Sequence, residues 1–90
     1  MQNQAPVRPE PSRDEVARAF GALVLTARTA LGLTQTEVAH RMNVQQGVYS
    51  RIEAGAYMPS LLVATKIRSV LNIDLNDFTD EYVKKANPRS

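Results

Sequence analysis

Two short helical segments joined by very few residues constrain this fold more than any other feature of the sequence. Thr34 followed by Glu37 has the T-x-x-E pattern of a capping box, which predicts that the first of the two helices begins here. The second helix of the pair, the third helix of the chain, is predicted over residues 45–53. Residues 42–45 therefore join the two helices of the pair. Because this link is so short, the helices must cross sharply, and Asn43 suits a turn that requires positive φ.

The rest of the sequence has the apolar periodicity of helices and no strand pattern. Apolar residues recur three or four positions apart over residues 16–31, which predicts a first helix that starts at Asp14 and ends at Gly32. Ser60 is the expected N-cap of a fourth helix, and a fifth is predicted from about residue 74. The sequence therefore predicts an all-α fold, a compact bundle of about five helices.

Length and composition indicate one small domain with flexible ends. A chain of 90 residues buries only about 60 to 65% of its unfolded surface. Residues 1–13 contain three prolines and almost no large apolar side chains, so we expect a disordered N-terminal arm there. We place the domain at residues 14–84 and a flexible tail at residues 85–90. Arg8 and Arg13 of the arm are candidates for phosphate contacts, although an inert arm is the simpler interpretation.

The composition also argues against several classes of protein. The chain contains no cysteine, and its one histidine, His40, has no ligand partners in the sequence, so we expect no metal and no cofactor. The carboxylates of residues 74–81 lack the spacing of a calcium loop, and no nucleophile has a nearby base, which argues against an enzyme. No apolar run approaches the roughly 20 residues of a membrane span. We therefore expect a soluble, cytoplasmic protein without a membrane partner.

A closely joined helix pair can hold its second member away from the protein body. The major groove of B-DNA accepts one α-helix, and glutamine can form two hydrogen bonds with N6 and N7 of adenine. Gln45 and Gln46 stand at the start of the second predicted helix, where side chains point most directly at base edges. The net charge of +2 is compatible with a polyanionic partner without selecting one. The two glutamines predict double-stranded DNA as the partner.

Three motifs occur in a fixed order and spacing around this helix pair. They are LGLTQTEVA at residues 31–39, SRIEAG at residues 50–55, and the pattern PSLL, KI and VLNIDL over residues 59–75. Together they resemble the helix-turn-helix domain of the phage repressor and Cro type, the xenobiotic-response-element family of bacterial transcriptional regulators. The resemblance covers about residues 20–78. It implies a bundle of the lambda-repressor-like type with a central helix-turn-helix.

The resemblance also implies a DNA-binding surface. Gln35 matches the family glutamine that binds a phosphate and braces the first side chain of the recognition helix, and Thr34 is expected to add a second phosphate contact. Tyr57 and Ser60 are the candidates for phosphate contacts in the loop after the third helix. The positions that face bases in the family fall on Gln45, Gln46, Gly47, Ser50 and Arg51.

Other matched positions imply structural roles or differ from the family. Arg28 and Glu53 match a buried or half-buried ion pair between the first helix and the end of the third, which we assign to folding. Gly47 stands where a side chain that contacts DNA is common, and Tyr49 replaces the usual Ile or Val. Two interpretations follow: the chain makes fewer contacts with DNA, or the Tyr49 hydroxyl reaches a phosphate.

We interpret the sequence as a DNA-binding transcriptional regulator, a repressor or autoregulator, that binds a pseudo-palindromic operator as a homodimer. One inserted helix reads only a few base pairs, so a dimer on half-sites about 34 Å apart is the usual solution. Leu75, Phe78 and Tyr82 of the last helix either complete the core or form the two-fold contact, and we assign the dimer contact to them. The alternative is an antitoxin that binds its own promoter and has a toxin as its protein partner.

Overall fold

Four α-helices make up most of the chain that the structure describes. The computed structural model describes residues 12–76 and residue 78. The helices are α1 (Arg13–Ala30), α2 (Gln35–Met42), α3 (Gln46–Glu53) and α4 (Leu61–Leu71). Residues 75, 76 and 78 are also helical, at the start of the predicted fifth helix, and the rest of that element lies outside the described residues. The predicted all-α class is confirmed.

Three of the helices begin with a hydroxyl side chain as N-cap. The Oγ atoms of Ser12, Thr34 and Ser60 accept hydrogen bonds of 3.1, 3.0 and 3.2 Å from backbone N–H groups three residues on. Glu15 in α1 and Glu37 in α2 complete capping boxes. The hydrogen bond from the backbone of Thr34 lowers the pKa of Glu37. The caps predicted at Thr34 and Ser60 are therefore confirmed.

The N-terminal boundary of α1 differs by one residue from its predicted place. The helix begins at Arg13 and not at Asp14, because the capping box of Ser12 already satisfies the first free N–H groups. The predicted arm covered residues 1–13, but Ser12 and Arg13 form the start of α1. Residues 1–11 lie outside the described residues, so a disordered arm over those residues and a role for Arg8 stay predictions. The same holds for the C-terminal tail at residues 85–90.

A residue with left-handed backbone conformation lies at or just after the C-terminal end of each of the four helices. Gly32 follows α1 with φ of 71° and Gly55 follows α3 with φ of 75°. Asn43 and Asn72 end α2 and α4 with φ of 57° and 55°. Glycine and asparagine adopt this region at lower cost than other residues. The predictions for Gly32 and Asn43 are confirmed, and Asn43 makes the short link between α2 and α3 possible.

The core lies where the four helices meet. Its fully buried side chains include Val24 of α1, Met42 of α2, Ile52 of α3 and Ile67 of α4, none more than 1% exposed. α1 crosses α3 at Gly21, where a Cβ would lie 2.4 Å from the carbonyl oxygen of Ile52. Because glycine alone allows this approach, Gly21 fixes how close α3 lies to the core. The opposite face of α3 is left exposed.

Two further observations concern residues 12–76 and 78 only. No single helix there is long and apolar enough to cross a membrane; α1 and α2 taken together reach that length and composition but are bent by 105° where they meet. The described side chains also include no group of three or more histidines and carboxylates placed to hold a metal ion.

Candidate nucleic-acid interface

The outer face of α3 brings together the five residues predicted to face bases. Gln45 is the N-cap residue of α3, in an extended conformation, and its side chain makes no capping hydrogen bond. Gln45, Gln46, Gly47 and Arg51 are exposed, and Ser50 is half-buried. Residues three and four apart are neighbours on a helix surface, which places Gly47 beside Ser50 and Arg51. These residues form one continuous surface, called here the outer face of α3.

The side chain of Gln46 is held by Gln35 at the start of α2. The Nε2 of Gln46 donates a hydrogen bond of 2.9 Å to the Oε1 of Gln35. Gln35 in turn donates from its own Nε2 to Glu53 Oε1, also at 2.9 Å. The bracing contact that the resemblance implies is present. It connects the first residue of α3 to the last through a side chain of α2.

Glu53 also forms an ion pair with Arg28 of α1. The Nε and Nη2 atoms of Arg28 bind the two carboxylate oxygens, and Nη1 donates to the carbonyl oxygen of Leu33 at 2.8 Å. The two side chains are only 15% and 5% exposed. Burial alone would raise the pKa of Glu53, but the hydrogen bond from Arg28, the nearby Tyr49 hydroxyl and Gln35 together hold it below its ordinary value. The guanidinium therefore ties α1 to the end of α3 and to the turn before α2.

Tyr49 does not reach the protein surface. Its side chain is 0% exposed, and its hydroxyl makes no hydrogen bond of good geometry. The hydroxyl lies close enough to Glu53 and Arg28 to affect their electrostatics, and burial raises the pKa of Tyr49, so the group stays neutral. The interpretation in which this hydroxyl reaches a phosphate is therefore wrong. Tyr49 lies one helical turn before Glu53, on the inner face of α3, where the family has an apolar residue.

The predicted phosphate contacts lie at the starts of α2 and α4 and in the loop before α4. Thr34 and Ser60 are exposed, and each hydroxyl accepts its cap hydrogen bond and so keeps its own hydrogen to donate. Tyr57 is 38% exposed. Gln35 is half-buried, and its Nε2 has a second hydrogen besides the one donated to Glu53. Helix N-termini also present free backbone N–H groups, which suit an anion.

Gly21 and the hydrogen bond between Gln35 and Glu53 position the site but were not predicted from the sequence. Both position the outer face: Gly21 sets the distance between α1 and α3, and Glu53 orients the glutamine that holds Gln46. An isolated glycine inside a helical pattern was the signal available for Gly21, because such a residue usually has a packing or functional reason. No sequence signal indicated that Gln35 and Glu53 would meet.

Comparisons with known proteins agree with this geometry. A family model described as helix-turn-helix matches residues 24–78. Vegetative-specific protein H7 of Dictyostelium discoideum is 41% identical over 49 residues, which cover 54% of this chain and 47% of that protein. The ImmF control region 10 kDa protein of Bacillus phage phi105 is 37% identical over 57 residues, which cover 63% of each. The chain thus spans less than two thirds of the length of both relatives.

A solved structure is similar over most of the chain. The crystal structure of the clp gene regulator ClgR from Corynebacterium glutamicum has a TM-score of 0.68 and 25% sequence identity to this chain. The match covers 90% of this chain and 83% of that one. The part of the chain matched by this structure is therefore larger than the part matched by the family model.

Proposed function

The chain belongs to the helix-turn-helix family of the phage repressor and Cro type, and from this premise we propose that it is a DNA-binding transcriptional regulator and not an enzyme. The observation that carries the proposal is the side chain of Gln46, which is exposed at the start of α3 and yet held in place by Gln35. The similar ClgR protein is a gene regulator by its description, which supports the same function here.

Base recognition follows from the hydrogen bonds that Gln46 has left to make. Its amide uses one hydrogen on Gln35, which leaves the second hydrogen for N7 of adenine and the Oε1 atom for the N6 amino group. A side chain that is already oriented loses less conformational freedom when it binds. In this mechanism α3 lies in the major groove, with Gln45, Ser50 and Arg51 beside Gln46.

Contacts with the phosphate backbone position α3 in the groove. We assign these contacts to Thr34 and Gln35 at the start of α2 and to Tyr57 and Ser60 at the approach to α4. Phosphate contacts fix the register of a protein on the duplex, whereas base contacts select the sequence. The exposed positions of Thr34, Tyr57 and Ser60 and the free N–H groups of the two helix N-termini support this assignment.

We also propose that the chain acts as a homodimer on a pseudo-palindromic operator, as a repressor or autoregulator. Leu75 and Phe78 are half-buried against the core, and the Phe78 ring packs edge to face with Phe20 at a centroid distance of 5.6 Å. The buried parts of Leu75 and Phe78 thus contribute to the core of the monomer. We assign their exposed parts to the contact with the second copy of the chain. Tyr82, the third predicted contact, lies outside the described residues.

Selection of bound duplexes from a random library tests this function. We expect a pseudo-palindromic motif that the chain binds at least about a thousandfold more tightly than scrambled DNA. Insertion of five base pairs between the half-sites should abolish cooperative binding, because it rotates one half-site by about half of a helical turn. Weak binding without sequence preference that disappears with added salt would contradict the proposal, and would direct attention to a protein partner such as a toxin.

A further inference from the structure

An open cleft lies between the N-terminal half of α1 and the loop that joins α3 to α4. Its volume is about 580 Å³, and its lining includes Arg13, Asp14 and Arg18 of α1 and Tyr57 of the loop. We call it the α1–loop cleft. Two arginines and one carboxylate are its charged side chains, so the lining has a net charge of +1. A cleft with this charge is suited to an anion.

The stem of Arg18 is packed against the loop. Gly55 has φ of 75°, and a Cβ built on it would lie 2.7 Å from the Cα and 2.8 Å from the Cγ of Arg18. The loop backbone therefore lies close to the first part of the Arg18 side chain, whereas the residue as a whole is exposed. Because its stem is already packed, Arg18 loses less conformational freedom when its guanidinium binds a partner.

The guanidinium of Arg18 is not used within the part of the chain that the structure describes. Arg18 makes no ion pair and no side-chain hydrogen bond there. Asp14 precedes it by four residues, the spacing of neighbours on a helix, and still does not pair with it. Arg28 differs in this respect, because its guanidinium binds Glu53 and a backbone carbonyl. Arg18 thus keeps its donors for a group outside the described residues.

Tyr57 belongs both to this cleft and to the surface that we assign to phosphate contacts. It is 38% exposed, and Ser60, the N-cap residue of α4, follows it by three residues. The cleft therefore borders the proposed path of the DNA backbone. A guanidinium can donate two parallel hydrogen bonds to a phosphate, which suits arginine to this group. The position of the cleft thus favours a backbone phosphate over a free anion as the partner of Arg18.

We propose that Arg18 binds a phosphate of the DNA backbone in the α1–loop cleft, with the Tyr57 hydroxyl as a second donor from the loop. Arg13, in the first turn of α1, adds a further positive charge to the cleft. The inference rests on the proposed function and adds a contact from α1 to it. A phosphate contact carries no information about base sequence, so Arg18 should raise the affinity for every duplex by a similar factor.

The variant Arg18→Gln tests this contact, because glutamine keeps the Cβ and Cγ atoms near Gly55 and removes the charge. The affinities for the selected duplex and for scrambled DNA are measured by fluorescence anisotropy at several salt concentrations. We expect both to fall about fivefold, and the slope of log K against log salt to decrease by about one. Thermal unfolding should give a Tm close to that of the wild type, and Arg18→Lys, which keeps the charge, should retain most of the slope.

Arg68→Gln is the matched control. Arg68 is exposed in the last turn of α4, outside the lining of the cleft, and the substitution removes the same charge. Its effect therefore measures the general contribution of one positive charge to DNA binding. We expect Arg68→Gln to weaken binding less than about twofold, because a distant exposed charge is screened by salt.

Neutral backbone positions locate the phosphate that Arg18 binds. Each phosphate of the selected duplex is replaced in turn by a methylphosphonate, which removes its negative charge, and the Kd of the wild type and of Arg18→Gln is measured. We expect one position in each half-site where the wild type loses about fivefold in affinity and Arg18→Gln loses none. At other sensitive phosphates the two proteins should respond equally, because those contacts belong to other residues.

The outcomes separate this inference from the proposed function. Sequence-specific binding in which Arg18→Gln matches Arg68→Gln in affinity and salt slope would overturn the inference alone. So would a variant that stays as sensitive as the wild type at every neutralised phosphate. Wild-type binding without sequence preference would instead contradict the proposed function, and the salt slopes on scrambled DNA would then still decide whether Arg18 binds a phosphate. A wild-type chain that binds no DNA would overturn both.

Discussion

The two faces of α3 depend on the rest of the molecule in different ways. The inner face is formed by Tyr49 and Ile52, both 0% exposed, and meets α1 at the close approach of Gly21. The outer face is exposed, and its first side chain, Gln46, is oriented by a hydrogen bond to Gln35. We therefore expect inner substitutions to change the free energy of unfolding, and outer substitutions to change DNA binding.

Glu53 is the residue at which the two faces are connected. Its carboxylate accepts hydrogen bonds from Arg28, which holds α1 against α3, and from Gln35, which orients Gln46. The same charged group thus stabilises the fold and fixes a side chain that we assign to base recognition. Because Glu53 binds both Arg28 and Gln35, we expect base recognition by Gln46 to depend on the ion pair between α1 and α3.

The largest effect should come from Glu53→Ala. Removal of the carboxylate leaves the guanidinium of Arg28 nearly buried without its partner, and we expect the free energy of unfolding to fall by about 3 kcal/mol. Urea unfolding followed by circular dichroism measures this. Asp14→Ala, in the exposed first turn of α1, is the control and should lose less than about 1 kcal/mol. A similar loss in both variants would mean that the ion pair does not hold the two helices together.

The next effect in size should come from Gly21→Ala. The added Cβ would lie 2.4 Å from the oxygen of Ile52 and 2.8 Å from that of Glu53, so α1 and α3 must separate. We expect a loss of about 2 kcal/mol in the free energy of unfolding. Gly47→Ala, the same substitution on the outer face, should instead increase stability. Equal changes in thermal unfolding for the two variants would abolish the contrast between the faces.

Gln35→Ala should affect both faces to a smaller extent. The variant removes one hydrogen bond from Glu53, for which we expect a loss of about 1 kcal/mol in the free energy of unfolding. The variant also removes the hydrogen bond that orients Gln46. The binding free energy for the selected duplex should therefore weaken by about 1 kcal/mol from this cause, in addition to the loss of the phosphate contact that we assign to Gln35. Titrations by fluorescence anisotropy at several salt concentrations separate the two effects, because a phosphate contact contributes to the salt slope. Unchanged affinity would show that the brace has no role in binding.

The smallest effect concerns pH. The pKa of Glu53 is lowered in the folded state, so its contribution to stability is fully present above the unfolded pKa of about 4.3 and is lost as the pH falls through the folded pKa. The difference in urea midpoint between the wild type and Glu53→Gln should therefore shrink as the pH is lowered from 7 toward 3. A constant difference over this range would be inconsistent with a lowered pKa.

Features set by neighbouring residues were predictable from the sequence, and features set by distant contacts were less so. The caps at Thr34 and Ser60 and the positive φ of Asn43 depend on chemistry within a few residues, and each appears in its predicted place. The direction of the Tyr49 hydroxyl and the close approach at Gly21 depend on helices that the sequence does not position. The ion pair was expected from the resemblance to a family, and not from the spacing of Arg28 and Glu53.

A thermodynamic cycle between Gln46 and one A·T pair tests most directly whether the outer face of α3 reads bases. The affinities of the wild type and Gln46→Ala are measured for the selected duplex and for duplexes in which each A·T pair is replaced by G·C. We predict one position where the wild type discriminates by about 1 to 3 kcal/mol and the variant does not, while the free energy of unfolding changes by less than about 0.5 kcal/mol. Full discrimination by Gln46→Ala at every position would contradict the assignment of Gln46 to base recognition.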